Sequence, residues 1–355
     1  MYRHRRCASL RSMSFWKGRR VLVTGHTGFK GAWLVMMLLR LGARVSGLAL
    51  APATQPNLFE LLALDGEMES LIGDVRDEAF VRRCVKQTKP ETILHLAAQA
   101  LVRASYEHPV ATYAINVLGT AHVLEAARSN GVRDVVVVTS DKCYRNDERN
   151  MPFRENDPLG GEDPYSSSKA AAELVTHGYA ASYGTAAFRV ASARAGNVIG
   201  GGDWSADRLV PDVVRAITCD KPLVLRYPGA VRPWQHVLEP LTGYLALASS
   251  LGAGDAGAWN FGPETESHVS AIELARAFYR AMGKPERIEI DTTARPHEAG
   301  QLRLDSAKAR QQLDWKSKLD ARETVAWTAR WYREVAARVP AREVTIAQIE
   351  EYAAR

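Results

Sequence analysis

Three features of the chain predict an α/β fold, a doubly wound parallel sheet followed by a smaller C-terminal substrate-binding lobe. Short apolar runs alternate with longer segments of helical period, and a glycine-spaced turn follows the first run. After about residue 194 this rhythm gives way to Gly- and Pro-rich stretches between helices. Alternating strands and helices demand right-handed crossovers, which cover both faces of the sheet and leave ligands at the carboxyl ends of the strands.

Taken in order, Arg20–Thr24 (RVLVT) reads as a buried strand and Phe29–Leu41, with its repeating apolar stripe, as a helix. Arg44–Leu50 and Glu69–Gly73 follow as strands two and three. Then come a helix over 77–88, a strand at Thr92–Ala97, a long helix near 106–130 and the β-branched run Asp134–Ser140 (DVVVVTS). A helix over about 164–183 and a strand at Ala186–Ala193 complete the pattern. Beyond it, GNVIGGGDW, RYPGAVRPW and FGP separate helices near 207–219, 238–251, 269–282 and 321–338. The expected organisation is an extension at 1–13, a cofactor-binding domain at 14–193 and a substrate lobe at 194–355, with segments near 233–262 able to return to the first domain.

Charge narrows the function less than it first suggests. The 355 residues hold 46 Lys and Arg against 40 Asp and Glu, a net +6. Seven of those cations, and no acid, lie in residues 1–20, so the remainder of the chain carries a net −1. A basic tail does not make a nucleic-acid-binding body, and neither nucleic acid nor membrane is an expected partner. No apolar run approaches the roughly 18 to 20 residues of a membrane helix. Four scattered cysteines without C-x-x-C spacing indicate neither zinc nor a disulfide framework, and a reducing cytoplasm is expected.

Gly25-His26-Thr27-Gly28-Phe29-Lys30-Gly31 lies between the first strand and the first helix, the place where a dinucleotide pyrophosphate meets backbone N–H groups in a Rossmann-type fold. The first glycine permits the tight turn, and the others allow close backbone approach. The usual acid for the adenosine ribose is missing, because Leu48-Ala49-Leu50-Ala51 supplies none, so strand two leaves NAD against NADP undecided. Asp74, followed by Val75, is a candidate adenine contact after strand three.

Tyr165 and Lys169 stand at i, i+4, on one helical face. A phenol near pKa 10 is a poor base at neutral pH unless a neighbouring ammonium and a cationic nicotinamide favour its phenolate. Thr139-Ser140-Asp141-Lys142 ends the preceding strand: Ser140 can hydrogen-bond a substrate oxygen, and Asp141 with Lys142 offers a second acid/base pair.

Gly25-x-x-Gly28-x-x-Gly31 with Tyr165-x-x-x-Lys169 resembles the extended short-chain dehydrogenase/reductase superfamily. More narrowly, GHTGFKG, HLAAQALVRASYEHP, TSDKCYRN, DPYSSSKAAAE, RAGNVIGGGDW, RPWQHVLEP and NFGP resemble the CDP-glucose 4,6-dehydratases, from about Ser14 onward. The resemblance implies bound NAD, a nucleotide-sugar substrate, a lyase reaction forming CDP-4-keto-6-deoxyglucose, and a homodimer built from two long helices. It implies a cytoplasmic enzyme of deoxysugar biosynthesis, of the kind that supplies O-antigen lipopolysaccharide. It assigns Ala97, Ala98, Gln99, Asn116 and Thr139 to the cofactor side, and Asn197 and Arg232 to the nucleotide diphosphate. It makes Asp141 the acid and Lys142 the base of the elimination. A nucleotide-sugar epimerase, a 4,6-dehydratase acting on another nucleotide sugar and a silent dinucleotide-binding regulator are the competing readings. His236, His297, Trp204 and Trp234 read better as packed or solvated groups than as ligand contacts.

Overall fold

The computed structural model describes residues 14–147, 149, 151–251, 256–263, 268–291, 293 and 302–355. The expected extension at 1–13 and His297 lie outside the described residues. Seven parallel strands form the central sheet. In chain order they are β1 (Arg20–Thr24), β2 (Arg44–Ala49), β3 (Glu69–Ile72), β4 (Thr92–His95), β5 (Asp134–Val138), β6 (Arg189–Ala195) and a last strand, Gly257–Phe261. Across the sheet the order is Gly257–Phe261, β6, β5, β4, β1, β2, β3. The chain winds outward from β1 to β3, then restarts beside β1 with β4, and this reversal opens a crevice between the ends of β1 and β4.

The uninterrupted apolar runs have a direct cause. Val21 and Val23 enter the core on one face of the sheet while Leu22 enters the core on the other, and Val136 and Val138 alternate with Val135 and Val137 in the same way. The inner stretches of β1 and β5 are therefore apolar at every position rather than at every second one.

Several boundaries move, each for a local reason. The helix expected near 106–130 is divided into Val102–Glu107 and a second stretch that starts at Pro109 and runs, through a π turn at Ala114–Leu118, to Ser129. Proline has no N–H to continue the first segment but suits the opening of the second. The strand expected at Ala186–Ala193 runs instead over Arg189–Ala195, because Thr185 N donates to the Phe188 carbonyl at 2.9 Å and closes a turn there.

Gly257–Phe261 pairs with β6 in parallel register, so the C-terminal half returns a strand to the sheet. Helices Ala307–Leu313 and Ala341–Ala354 were not expected from the pattern. The second is held by Tyr352, whose phenol donates to Glu239 Oε2 at 2.6 Å in the core. No helix among the described residues is long and apolar enough to cross a membrane.

Candidate active site

The crevice widens into a cleft of about 1130 Å³, lined on one side by the ends of the central strands and on the other by the segments after β6. A pocket for one small ligand occupies roughly 300–1,000 Å³, so this cleft has room for two in contact.

Its floor is the glycine turn. Gly25 adopts φ +75°, a conformation open to glycine, and a Cβ there would approach Ala97 N to 2.9 Å. A Cβ on Gly31 would lie 2.1 Å from the Gly25 carbonyl oxygen. Helix Phe29–Arg40 starts from Gly28 with neither a side-chain cap nor an acid in its first turn. Its first N–H groups and the positive end of its dipole therefore remain available to an anion at the cleft. The bare loop, the uncapped helix and the size of the cleft fit a dinucleotide pyrophosphate. Thr27, Phe29, Val75, Ala97, Ala98 and Gln99 also line the cleft, as does Asp74. Asp74 is held by Arg76, whose side-chain hydrogen bond keeps its carboxyl below the usual range. Ala49, Leu50 and Ala51 line the wall where a ribose-binding acid would stand.

Two predicted residues stand behind this wall. His26 is fully buried, with Nε2 2.7 Å from Ser70 Oγ, its ring edge-on to Phe59, and burial pushing it down to about 4. Asn116 accepts from Gln99 N at 2.9 Å and donates to the Gln99 carbonyl and to Ser168 Oγ, so it shapes the Gln99 loop from beneath.

Tyr165 and Lys169 project from helix Pro164–Tyr183, which Asp163 caps by accepting from Ser166 N at 2.9 Å. Both side chains are buried, and both line the cleft beside Thr139, Ser140 and Lys142. Burial pushes the Tyr165 phenol up to about 12 against a hydrogen bond with Ser140. Burial pushes the Lys169 ammonium down to about 8, opposed by the Glu173 carboxylate, and Nζ lies 3.4 Å from the Val138 carbonyl. Ser140 Oγ donates to Asp141 Oδ1 at 2.9 Å and accepts from Lys142 N at 3.2 Å. Asp141 is 3% exposed, and its burial holds the carboxyl above the ordinary carboxylate range.

Across the cleft stand Asn197, Arg208, Arg226 and the buried Arg232. Asp207 accepts from Arg103 at 2.9 Å and from Arg226 at 2.7 Å, so one carboxylate joins the two sides. Lys30, in the glycine turn, is pushed down to about 7 by withdrawal from water, with the Arg208 and Lys169 charges adding to the effect. Among the described residues no group of three or more His, Cys, Asp or Glu is placed to hold a metal ion.

Residues 22–328 match the family described as GDP-mannose 4,6 dehydratase. The chain belongs to the GDP-mannose 4,6 dehydratase family. Over 90% of its length it is 46% identical to a CDP-glucose 4,6-dehydratase of Salmonella typhimurium, covering 92% of that protein. Among solved structures it resembles a dTDP-glucose 4,6-dehydratase of Streptomyces venezuelae with NAD bound, at 26% identity and TM-score 0.79, over 90% of this chain and 98% of that one. A UDP-glucose 4-epimerase of Thermus thermophilus in complex with NAD gives 28% identity and TM-score 0.79, over 88% of this chain and 99% of that one. NAD is the cofactor of this dehydratase fold.

Within the dehydratase framework, residues that sequence reasoning missed are those whose partners are remote. Arg103 and Asp207 are 104 positions apart and meet only across the folded cleft. Arg208, bonded to Asp203 at 3.2 Å, lies outside every motif, and although Glu173 ends DPYSSSKAAAE and Arg194 begins RAGNVIGGGDW, nothing in either motif pointed to the other. Of the packed-group readings, His236 is fully buried against Trp33 and Trp327, and Trp204 packs on Trp331 and Tyr332. Trp234 is nearly buried at the cleft edge, with its indole N–H donated to the Val269 carbonyl at 3.1 Å.

Proposed function

We propose that this chain converts CDP-D-glucose to CDP-4-keto-6-deoxy-D-glucose and water. The observation that carries the reading is Asp141. A buried carboxyl held toward its protonated form, bonded to Ser140 beside Tyr165, supplies an acid that an epimerase working at carbon 4 does not need. The 46% identity to a CDP-glucose enzyme supports the choice of nucleotide.

In this reading the glycine turn and helix Phe29–Arg40 hold the NAD pyrophosphate, and Asp74 and Val75 flank the adenosine. Held there, NAD would supply the hydride acceptor for carbon 4 and the hydride donor for carbon 6. Tyr165 takes the proton of the carbon 4 hydroxyl, Lys169 stabilises the phenolate, and Ser140 hydrogen-bonds the same sugar oxygen. The carbon 4 carbonyl acidifies the hydrogen on carbon 5. Lys142 removes it and Asp141 gives its proton to the hydroxyl leaving carbon 6; Lys142 returns its proton to carbon 5 as carbon 6 is reduced, and the proton first taken by Tyr165 balances the one Asp141 gave up. Asn197 and Arg232 face the diphosphate, where a guanidinium suits paired phosphate oxygens.

Residues 14–193, with Gly257–Phe261, form the cofactor half, and most of 194–355 forms the sugar-nucleotide half. The active form is a homodimer. Val110, Leu118 and Leu174 are 81%, 55% and 61% exposed on the helices that follow β4 and precede β6, an apolar face that a second copy would cover. We place the enzyme in the cytoplasm, supplying deoxysugars for lipopolysaccharide O-antigen.

Incubation with CDP-, dTDP-, GDP- and UDP-glucose in the presence of NAD tests the reading. Release of a 4-keto-6-deoxy sugar from CDP-glucose alone is the expected result. A carbon 4 epimer without loss of water would overturn the dehydratase reading, and preference for another nucleotide would overturn the choice of substrate.

A further inference from the structure

Beneath the catalytic pair lies a buried ion pair that the reaction above does not use. Tyr165, Lys169 and Glu173 recur every four residues on helix Pro164–Tyr183, so one face presents all three. Glu173 is 3% exposed, as is its partner Arg194 on β6. Glu173 Oε2 accepts from Arg194 Nη2 at 2.6 Å and from Ser192 Oγ at 2.7 Å, and Oε1 accepts from the hydroxyl of Thr139, the residue before Ser140.

Arg194 also donates to the Tyr144 phenol oxygen at 2.7 Å, and Tyr144 donates to Asn260 Oδ1 at 2.8 Å on the last strand. The network thus grips the Ser140-Asp141-Lys142 turn at both ends, through Thr139 before it and Tyr144 after it.

Stability alone is a weak reason for such a pair, because a buried ion pair replaced by well-packed apolar groups is often neutral. The surroundings of Lys169 suggest another reason. Facing it are Tyr165 and Glu173 from its own helix, Cys143 from the turn after β5, His95 from the end of β4 and Lys30 from the glycine turn. Among these, Glu173 is the carboxylate. We propose that Glu173, held by Arg194, is a positioning residue that keeps Lys169 charged and fixes the Ser140 turn against Tyr165. The inference rests on the dehydratase reading.

Without the carboxylate, Lys169 sheds its proton at lower pH, and neutral Lys169 no longer favours the Tyr165 phenolate. Rate is then lost first from the alkaline side, while sugar-nucleotide binding, which Glu173 does not touch, is kept. The test is steady-state formation of the 4-keto-6-deoxy sugar from CDP-glucose as a function of pH, with full-length NAD-loaded enzyme. Glu173→Gln should move the alkaline limb of kcat about one pH unit toward acid and lower kcat at pH 8 about tenfold, with KM unchanged.

Because Glu173→Gln leaves the Arg194 guanidinium unpaired and can unfold the core, Glu173→Gln/Arg194→Met, which removes both charges, is measured beside it. The same displaced limb is expected. An unmoved limb in a folded variant would overturn the proposal, as would a raised KM at unchanged kcat. A double variant that fails to fold would mark the pair as a strut and overturn it too. Wild-type turnover is measured first, and its absence would overturn the dehydratase reading itself.

Discussion

Ser140 and Asp141 share a hydrogen bond of 2.9 Å at the carboxyl end of β5, with the carboxylate buried directly behind a hydroxyl that lines the cleft. In the proposed mechanism this places an acid and a sugar-oxygen contact within one residue of each other, apart from Tyr165. Asp141→Asn should stop release of the 4-keto-6-deoxy product while CDP-glucose recovered from heavy water still gains deuterium at carbon 5. Lys142→Ala should lose that exchange as well. Mass spectrometry of recovered substrate separates the two, and full exchange in Lys142→Ala would remove Lys142 from the role of base.

Tyr165→Phe should lower kcat by roughly 10²–10⁴-fold, the usual worth of a positioned acid/base group, and leave NAD content unchanged. Burial pushes the phenol up to about 12, so positive charge close to it is what favours the phenolate. Stopped-flow turnover together with cofactor quantification on the same preparation checks both halves of the expectation.

Gly31→Ala should both destabilise the fold and weaken NAD binding. The added Cβ would stand 2.1 Å from the Gly25 carbonyl oxygen, a backbone atom that cannot swing aside. Overpacking of this kind costs about 1–3 kcal/mol. Thermal unfolding and NAD titration should both record the change. Gly66→Ala, where a Cβ would meet nothing within 4 Å, serves as the control.

Acid should destabilise the protein through three buried histidines. Burial pushes His95 and His236 down to about 3 and His26 to about 4, from 6.5. These folded values lie below the unfolded one, so the stability they carry is full above pH 6.5 and is lost as the unfolded chain takes up protons below it. By pH 5 the loss is about 2 kcal/mol for each. Urea unfolding midpoints at pH 7 and pH 5 should differ accordingly, and His236→Gln should narrow the difference.

Leu174→Glu with Val110→Glu should convert a homodimer to monomers. Both side chains are well exposed, at 61% and 81%, so neither change disturbs the core. Sedimentation of wild type and variant at the same concentration reads the outcome, and an unchanged sedimentation coefficient would place the subunit contact elsewhere.

Much of this protein was legible before folding, because its signals are local. The period of the apolar runs marks the strands, the spacing of Gly25, Gly28 and Gly31 marks the turn, and the four-residue interval marks the Tyr165/Lys169 face. The chain by itself therefore determined the parallel sheet, the cofactor end of that sheet and the candidate side chains proposed to react there. A return of the chain near 233–262 was expected, but not that Gly257–Phe261 would be its strand, since it becomes one by pairing with β6 more than sixty residues earlier. Nor was the Glu173–Arg194 pair, or the Asp207 bridge from Arg103 to Arg226. Tertiary structure alone decided those, because burial and charge pairing depend on which distant segments meet, and that same burial sets the proton affinities of Tyr165, Lys169 and Asp141.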